Sequence, residues 1–127
     1  MIDCSLDTCT LIDLMKGRKD AEKAVGPFVH VGISHVVLGE LLLGGHKASR
    51  PHEIDKILEA LKGVTILNGD ALTAAIYAEL RFELEQHGNR IPENDLWIAA
   101  VSLQANVPLV TRDEHFHRVP QLKALVY

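Results

Sequence analysis

The sequence predicts an α/β fold built on a central parallel sheet of roughly five strands. Short apolar runs alternate with longer stretches of helical periodicity, the order that the crossovers of a parallel sheet require. No repeat, low-complexity tract or linker interrupts the alternation. At 127 residues the chain holds one well-formed core, so residues 1–127 are expected to form a single domain.

The elements follow in order. A first strand is expected over residues 2–6, followed by helices over 8–15 and 19–25. A second strand over 28–33 precedes helices over 36–43 and 51–61. Ser34 lies two residues ahead of the first of these and supplies its N-cap. After a third strand at 64–67, Asn68-Gly69-Asp70 gives a turn and then a capping aspartate. The helix it opens spans 71–87 and stops at Gly88-Asn89. A helix over 95–105 and strands at 109–111 and 124–126 complete the pattern. Sites in open parallel sheets form outside the carboxyl ends of the strands. Asp7 directly follows the first strand and Asp113 follows the fourth, so both open onto one edge.

Composition bounds the function. The 47% hydrophobic and 24% charged fractions are those of an ordinary globular protein. No apolar run approaches the ~20 residues that cross a bilayer. Asp3 and Asp7 stand where a secretory leader needs basic and then apolar residues, so a cytoplasmic protein without membrane partners is expected. Cys4 and Cys9 lack metal-type spacing and are expected to be reduced thiols. The net charge of −4 offers no general attraction for nucleic acid. A nucleic-acid role would need a local basic patch, metal ions among the acids, or a second subunit.

Most acids lie among other charges and suit a solvated face; four do not. Glu40 is the only charged residue between Gly32 and Gly45, on a helix apolar nearly all round, which predicts a buried helix. Asp95 opens a stretch with no further charge until Arg112. Asp7, Asp95 and Asp113 each also suit a helix cap, and Asn94 can cap in place of Asp95. If the four meet, each pair ~4 Å apart repels by roughly 4 kcal/mol at an effective dielectric near 20. Four such acids demand protonation or a cation among them. All-oxygen ligands favour Mg²⁺ or Mn²⁺ over zinc. The pair His115-x-His117 is a poor zinc site without two further ligands. Tyr77 and Trp97 are expected in the core.

Four segments carry a resemblance. Ser-Leu-Asp-Thr-Cys-Thr-Leu-Ile-Asp at 5–13 and Ile-Ser-His-Val-Val-Leu-Gly-Glu-Leu-Leu-Leu-Gly at 33–44 resemble the first two motifs of PIN-domain nucleases. Pro-Glu-Asn-Asp-Leu-Trp-Ile-Ala-Ala at 92–100 and Leu-Val-Thr-Arg-Asp-Glu-His-Phe at 109–116 resemble the third and fourth. Order and spacing agree, and the chain is similar to the VapC branch, the toxins of toxin–antitoxin pairs. The resemblance implies a three-layer α/β/α fold. It maps metal-binding, catalytic acids onto Asp7, Glu40, Asp95 and Asp113. Thr111 matches a hydroxyl that supports the acids, and Ser34 and Asn94 match further supporting positions. Cys9 stands where the family commonly has Asn, and Asp3 and Ser5 make the first strand more polar than usual.

What the resemblance implies chemically is in-line hydrolysis of RNA phosphodiesters with Mg²⁺ or Mn²⁺, leaving 5′-phosphate and 3′-hydroxyl ends. It further implies a homodimer, an inhibiting antitoxin and structured RNA targets such as tRNA. Arg112, Lys16 and Arg18 are the candidate phosphate contacts. A housekeeping RNA-processing nuclease is the alternative within the same fold. A degenerate PIN domain used only for binding is disfavoured by the presence of all four acids. A receiver-like phosphoacceptor ranks last, because Lys123 precedes the last strand and Asp95 falls on a helix.

Overall fold

A computed structural model describes residues 1–127 and has the three-layer α/β/α architecture. Five strands, β1 (Cys4–Leu6), β2 (Val31–Ser34), β3 (Thr65–Leu67), β4 (Leu109–Thr111) and β5 (Ala124–Val126), pair in the order β3-β2-β1-β4-β5, all parallel. Six helices flank them: α1 (Thr8–Met15), α2 (Lys19–Val25), α3 (His35–Lys47), α4 (Glu53–Ala60), α5 (Ala71–Gln86) and α6 (Glu93–Ala105). A short 3₁₀ turn, Glu114–Arg118, follows β4. No helix is long and apolar enough to cross a membrane.

The strand order reverses direction at β1. The chain moves outward to β2 and β3 on one side, then returns to β4 and β5 on the other. The crevice between the carboxyl ends of β1 and β4 is therefore the switch point at which such sheets bind ligands. Leu6, Ile33, Leu109 and Val110 are buried in these strands, with Val37, Ile98 and Phe116 packed over them in one core.

Several boundaries move for identifiable reasons. The side chain of Asp3 accepts hydrogen bonds from Val29 N–H (3.3 Å) and His30 N–H (2.9 Å). With the side chain of Asp3 tied to the backbone of 29–30, β1 begins at Cys4 rather than at 2, and β2 at Val31 rather than at 28. Ser5, the other polar residue of β1, is buried with its hydroxyl 2.6 Å from that of Ser102. Gly44-Gly45 does not stop α3. A Cβ on Gly45 would lie 2.7 Å from Ile54 Cδ1 and 2.8 Å from Ile57 Cδ1, so the glycine lets α3 and α4 approach. Asp70 caps α5 as expected, accepting from Leu72 and Thr73 N–H while Thr73 Oγ1 accepts from Asp70 N–H in a capping box. Tyr77 and Trp97 are half-buried rather than core, stacked face to face with centroids 3.8 Å apart.

Candidate metal centre

Asp7 sits at the centre of the site, and its position follows from two short elements. It ends the turn from β1 into α1 as the N-cap, with Oδ1 accepting from Thr8 N–H at 2.8 Å. The cap expected of an aspartate there is thus real, yet it occupies only one oxygen. Oδ2 accepts from the Thr111 hydroxyl at 2.7 Å and from the Cys9 thiol at 3.3 Å. Asp7 is 3% exposed and no cation pairs with it. Burial raises its pKa, against the Thr111, Thr8 and Cys9 hydrogen bonds, and the neighbouring Asp113 charge raises it further.

Asp113 follows β4 across the crevice. It holds the N-cap position of the 3₁₀ turn without capping it, which leaves its exposed carboxylate free. Ligand atoms of Asp7, Cys9 and Asp113 all lie within 4.8 Å of one another, a separation that one ion can bridge. This chemistry suits a divalent cation. Two carboxylates converge, one of them buried, without a positive side chain between them.

Asp95 and Glu40 stand at the next remove. Neither Asp95 nor Asn94 caps α6, which opens at Pro92 without a side-chain cap. Asp95 Oδ2 instead meets His115 Nε2 at 2.8 Å, and its side chain is 16% exposed. Burial pushes the Asp95 carboxyl up to about 6, helped by the charges of Asp7 and Glu40 and opposed by His115. Glu40 Oε1 accepts from the Thr8 hydroxyl at 2.6 Å, and Oε2 lies 3.5 Å from Asn94 Nδ2. The sequence predicts a buried helix around Glu40, and the structure differs. α3 is not buried all round, since Leu43 is 54% exposed and Glu40 itself is half-buried.

The supporting residues divide. Thr111 bonds Asp7 directly, and its Oγ1 also accepts from Asp113 N–H at 3.0 Å, so one hydroxyl ties both sides of the crevice. Ser34 caps α3, accepting from Val37 N–H at 3.1 Å, and acts on Glu40 only through that helix. Arg112 points to the buried Asp13, with Nη1 3.5 Å from Oδ1, while Arg18 forks onto Asp20. Lys16 lines a groove that runs to Glu40 between α1, α3 and α4, together with Arg50 and Lys56.

Sequence reasoning missed three participants. Thr8 was legible only as the residue after Asp7. In sequence His115 pairs with His117, whereas in the fold its partner is Asp95, 20 residues earlier. Cys9 departs from the motif in sequence, yet its side chain turns back beside Asp7 in the same pocket.

The family model of the PIN domain matches residues 5–122. The chain belongs to the PIN-domain family. This PIN domain is 37% identical over 94 residues to Ribonuclease VapC2 of Rickettsia felis, covering 72% of this chain and 70% of that protein. It is 33% identical over 115 residues to Ribonuclease VapC5 of Mycobacterium tuberculosis, covering 87% and 83%. Among solved structures it superposes on a chain of VapBC2 from Rickettsia felis, bound there to a promoter DNA fragment. The TM-score is 0.86 at 30% identity, over 97% of both chains. VapBC-1 from nontypeable Haemophilus influenzae gives a TM-score of 0.86 at 28% identity, over 98% of both chains. Family and fold thus agree with what the four motifs implied.

Proposed function

We propose that this PIN domain is a metal-dependent endoribonuclease, the toxin of a toxin–antitoxin pair, acting through Asp7, Glu40, Asp95 and Asp113. The observation that carries the reading is the buried carboxylate of Asp7, facing Asp113 across the β1–β4 crevice without a cation of its own. Relatives that cover most of this chain bear the name ribonuclease.

Asp7 and Asp113, with Asp95 and Glu40 beside them, would hold a divalent cation, which when bound would supply charge for the scissile phosphate and a more acidic water. Mg²⁺ and Mn²⁺ fit the carboxylates best. The chain's own residues do the positioning. Thr111 fixes the Asp7 carboxylate and the backbone of Asp113 through one hydroxyl. His115 orients Asp95, and Thr8 with Asn94 orients Glu40. RNA enters along the groove that ends at Glu40, where Lys16, Arg50 and Lys56 form the local basic patch that a chain of net charge −4 needs. Arg112 and Arg18 are held by Asp13 and Asp20, so Lys16 is the stronger phosphate contact.

The structural relatives were solved as VapBC assemblies, which supports a small antitoxin partner for this chain, and we extend the reading to a homodimer. The purified chain, freed of any partner, should cleave RNA with Mg²⁺ or Mn²⁺, leaving 5′-phosphate and 3′-hydroxyl ends. Cleavage should stop with EDTA and in Asp95→Asn. Activity that survives chelation, or products with 2′,3′-cyclic phosphates, would sink this mechanism.

A further inference from the structure

Cys9 contributes the sulfur to the set of ligand atoms shared with Asp7 and Asp113. Its Sγ lies 3.3 Å from Asp7 Oδ2 and 3.8 Å from Thr111 Oγ1. We propose that Cys9 is a metal ligand of this centre for thiophilic ions, so that Zn²⁺ competes with Mg²⁺ there. The inference rests on the metal centre proposed above and specifies its selectivity.

Geometry is the first argument. An ion bonded tetrahedrally to a sulfur at about 2.3 Å and an oxygen at about 2.1 Å holds those atoms about 3.6 Å apart. Cys9 Sγ and Asp7 Oδ2 are already within a few tenths of an ångström of that edge, at 3.3 Å. The third donor, Asp113, arrives from the opposite side of the crevice and is exposed, which gives an ion a way in from solvent. The Thr111 hydroxyl donates to the same Oδ2 at 2.7 Å and fixes the carboxylate beside the thiol. The other cysteine, Cys4, is fully buried within β1 and belongs to no such set.

Ligand chemistry is the second argument. Mg²⁺ takes oxygen and retains its waters, so for Mg²⁺ the centre consists of its carboxylates alone. Zn²⁺ and Co²⁺ accept thiolate, and Zn²⁺ already stands far above Mg²⁺ in affinity for mixed donor sets. An all-oxygen site was the expectation from sequence; Cys9 converts it into one with a second, softer preference. Coordination replaces the thiol proton with the metal and releases that proton to solvent, with no change of oxidation state.

Cobalt separates the possibilities, because its visible bands report binding while a near-ultraviolet sulfur-to-cobalt band reports thiolate ligation. The full chain, stripped with EDTA and titrated with Co²⁺, should show both. In Cys9→Ser and Cys9→Asn the visible bands should persist and the sulfur band vanish, with far-ultraviolet circular dichroism unchanged. Zn²⁺ should displace Co²⁺ from these variants with an affinity at least about tenfold weaker than from the parent chain, since even an outer-shell partner is worth about that much. Visible bands without a sulfur band in the parent chain would overturn the role of Cys9 and leave the metal centre standing. No cobalt spectrum at all would overturn the centre, and the role of Cys9 with it.

Discussion

Asp7 and Asp13 stand at opposite ends of α1, and each is almost fully withdrawn from water, at 3% and 2% exposure. Their surroundings differ completely. Asp13 accepts from the Tyr127 hydroxyl at 2.6 Å and faces the Arg112 guanidinium at 3.5 Å. Burial and the Asp13 carboxylate together hold the Tyr127 phenol well above its ordinary range, so it keeps its proton and goes on donating. Asp7 receives only uncharged donors and has acids for neighbours. Burial of a carboxylate therefore does not by itself mark a site. A buried acid with its own cation belongs to the fold, whereas one among other acids calls for a cation from solution.

The sharpest test of that contrast exchanges each acid for its amide. Asp7→Asn should lower RNA cleavage by at least about 10²-fold, yet raise the melting temperature of the EDTA-treated chain by relieving repulsion. Asp13→Asn should do the reverse. It should leave cobalt binding intact and cost about 2–3 kcal/mol in urea unfolding, because Arg112 loses its charged partner. If both variants lose metal binding, or both lose stability, the distinction collapses.

A pH series is the next largest effect. Asp95 has its carboxyl pushed up to about 6 in the fold, against ~3.9 for an unperturbed aspartate. The native state thus favours its protonated form, and that contribution to stability disappears as pH rises through 6. Asp3, Asp20 and Asp70 shift the other way, and their contribution is complete by about pH 5. Between pH 5 and 7.5 the metal-free chain should lose about 1 kcal/mol relative to Asp95→Asn, after allowance for screening by solvent. Saturating Mn²⁺ should cancel the loss. A difference that grows in the opposite direction would rule out a raised Asp95.

The smallest effect concerns the other end of α1. Tyr127→Phe removes one hydrogen bond to Asp13 and leaves Arg112 in place, so it should cost about 1 kcal/mol with metal affinity unchanged. A change in cobalt affinity would show that the two ends of the helix are coupled.

What the sequence disclosed about these regions follows the range of the interactions. Local chemistry was readable: Asn68-Gly69-Asp70 announces the cap of α5, and Ser34 announces that of α3. Asp7 and Asp113 were placed at the same edge because both follow strands of a parallel sheet. Contacts far apart in sequence were not readable. Asp13 lies in a plainly apolar stretch, but its partner Tyr127 is 114 residues away. Gly44-Gly45 reads locally as a stop; only Ile54 and Ile57, from another helix, show why a glycine is needed at 45. The shift of β2 likewise depends on Asp3 reaching across 26 and 27 residues.

One detail of Asp7 bears on how such a gene changes over time. Its carboxylate starts α1 as well as facing the crevice, and asparagine starts helices as well as aspartate does. The Asp and Asn codons differ by a single base. If the proposed activity harms the cell, one base change at this codon would silence it while leaving the start of α1 intact.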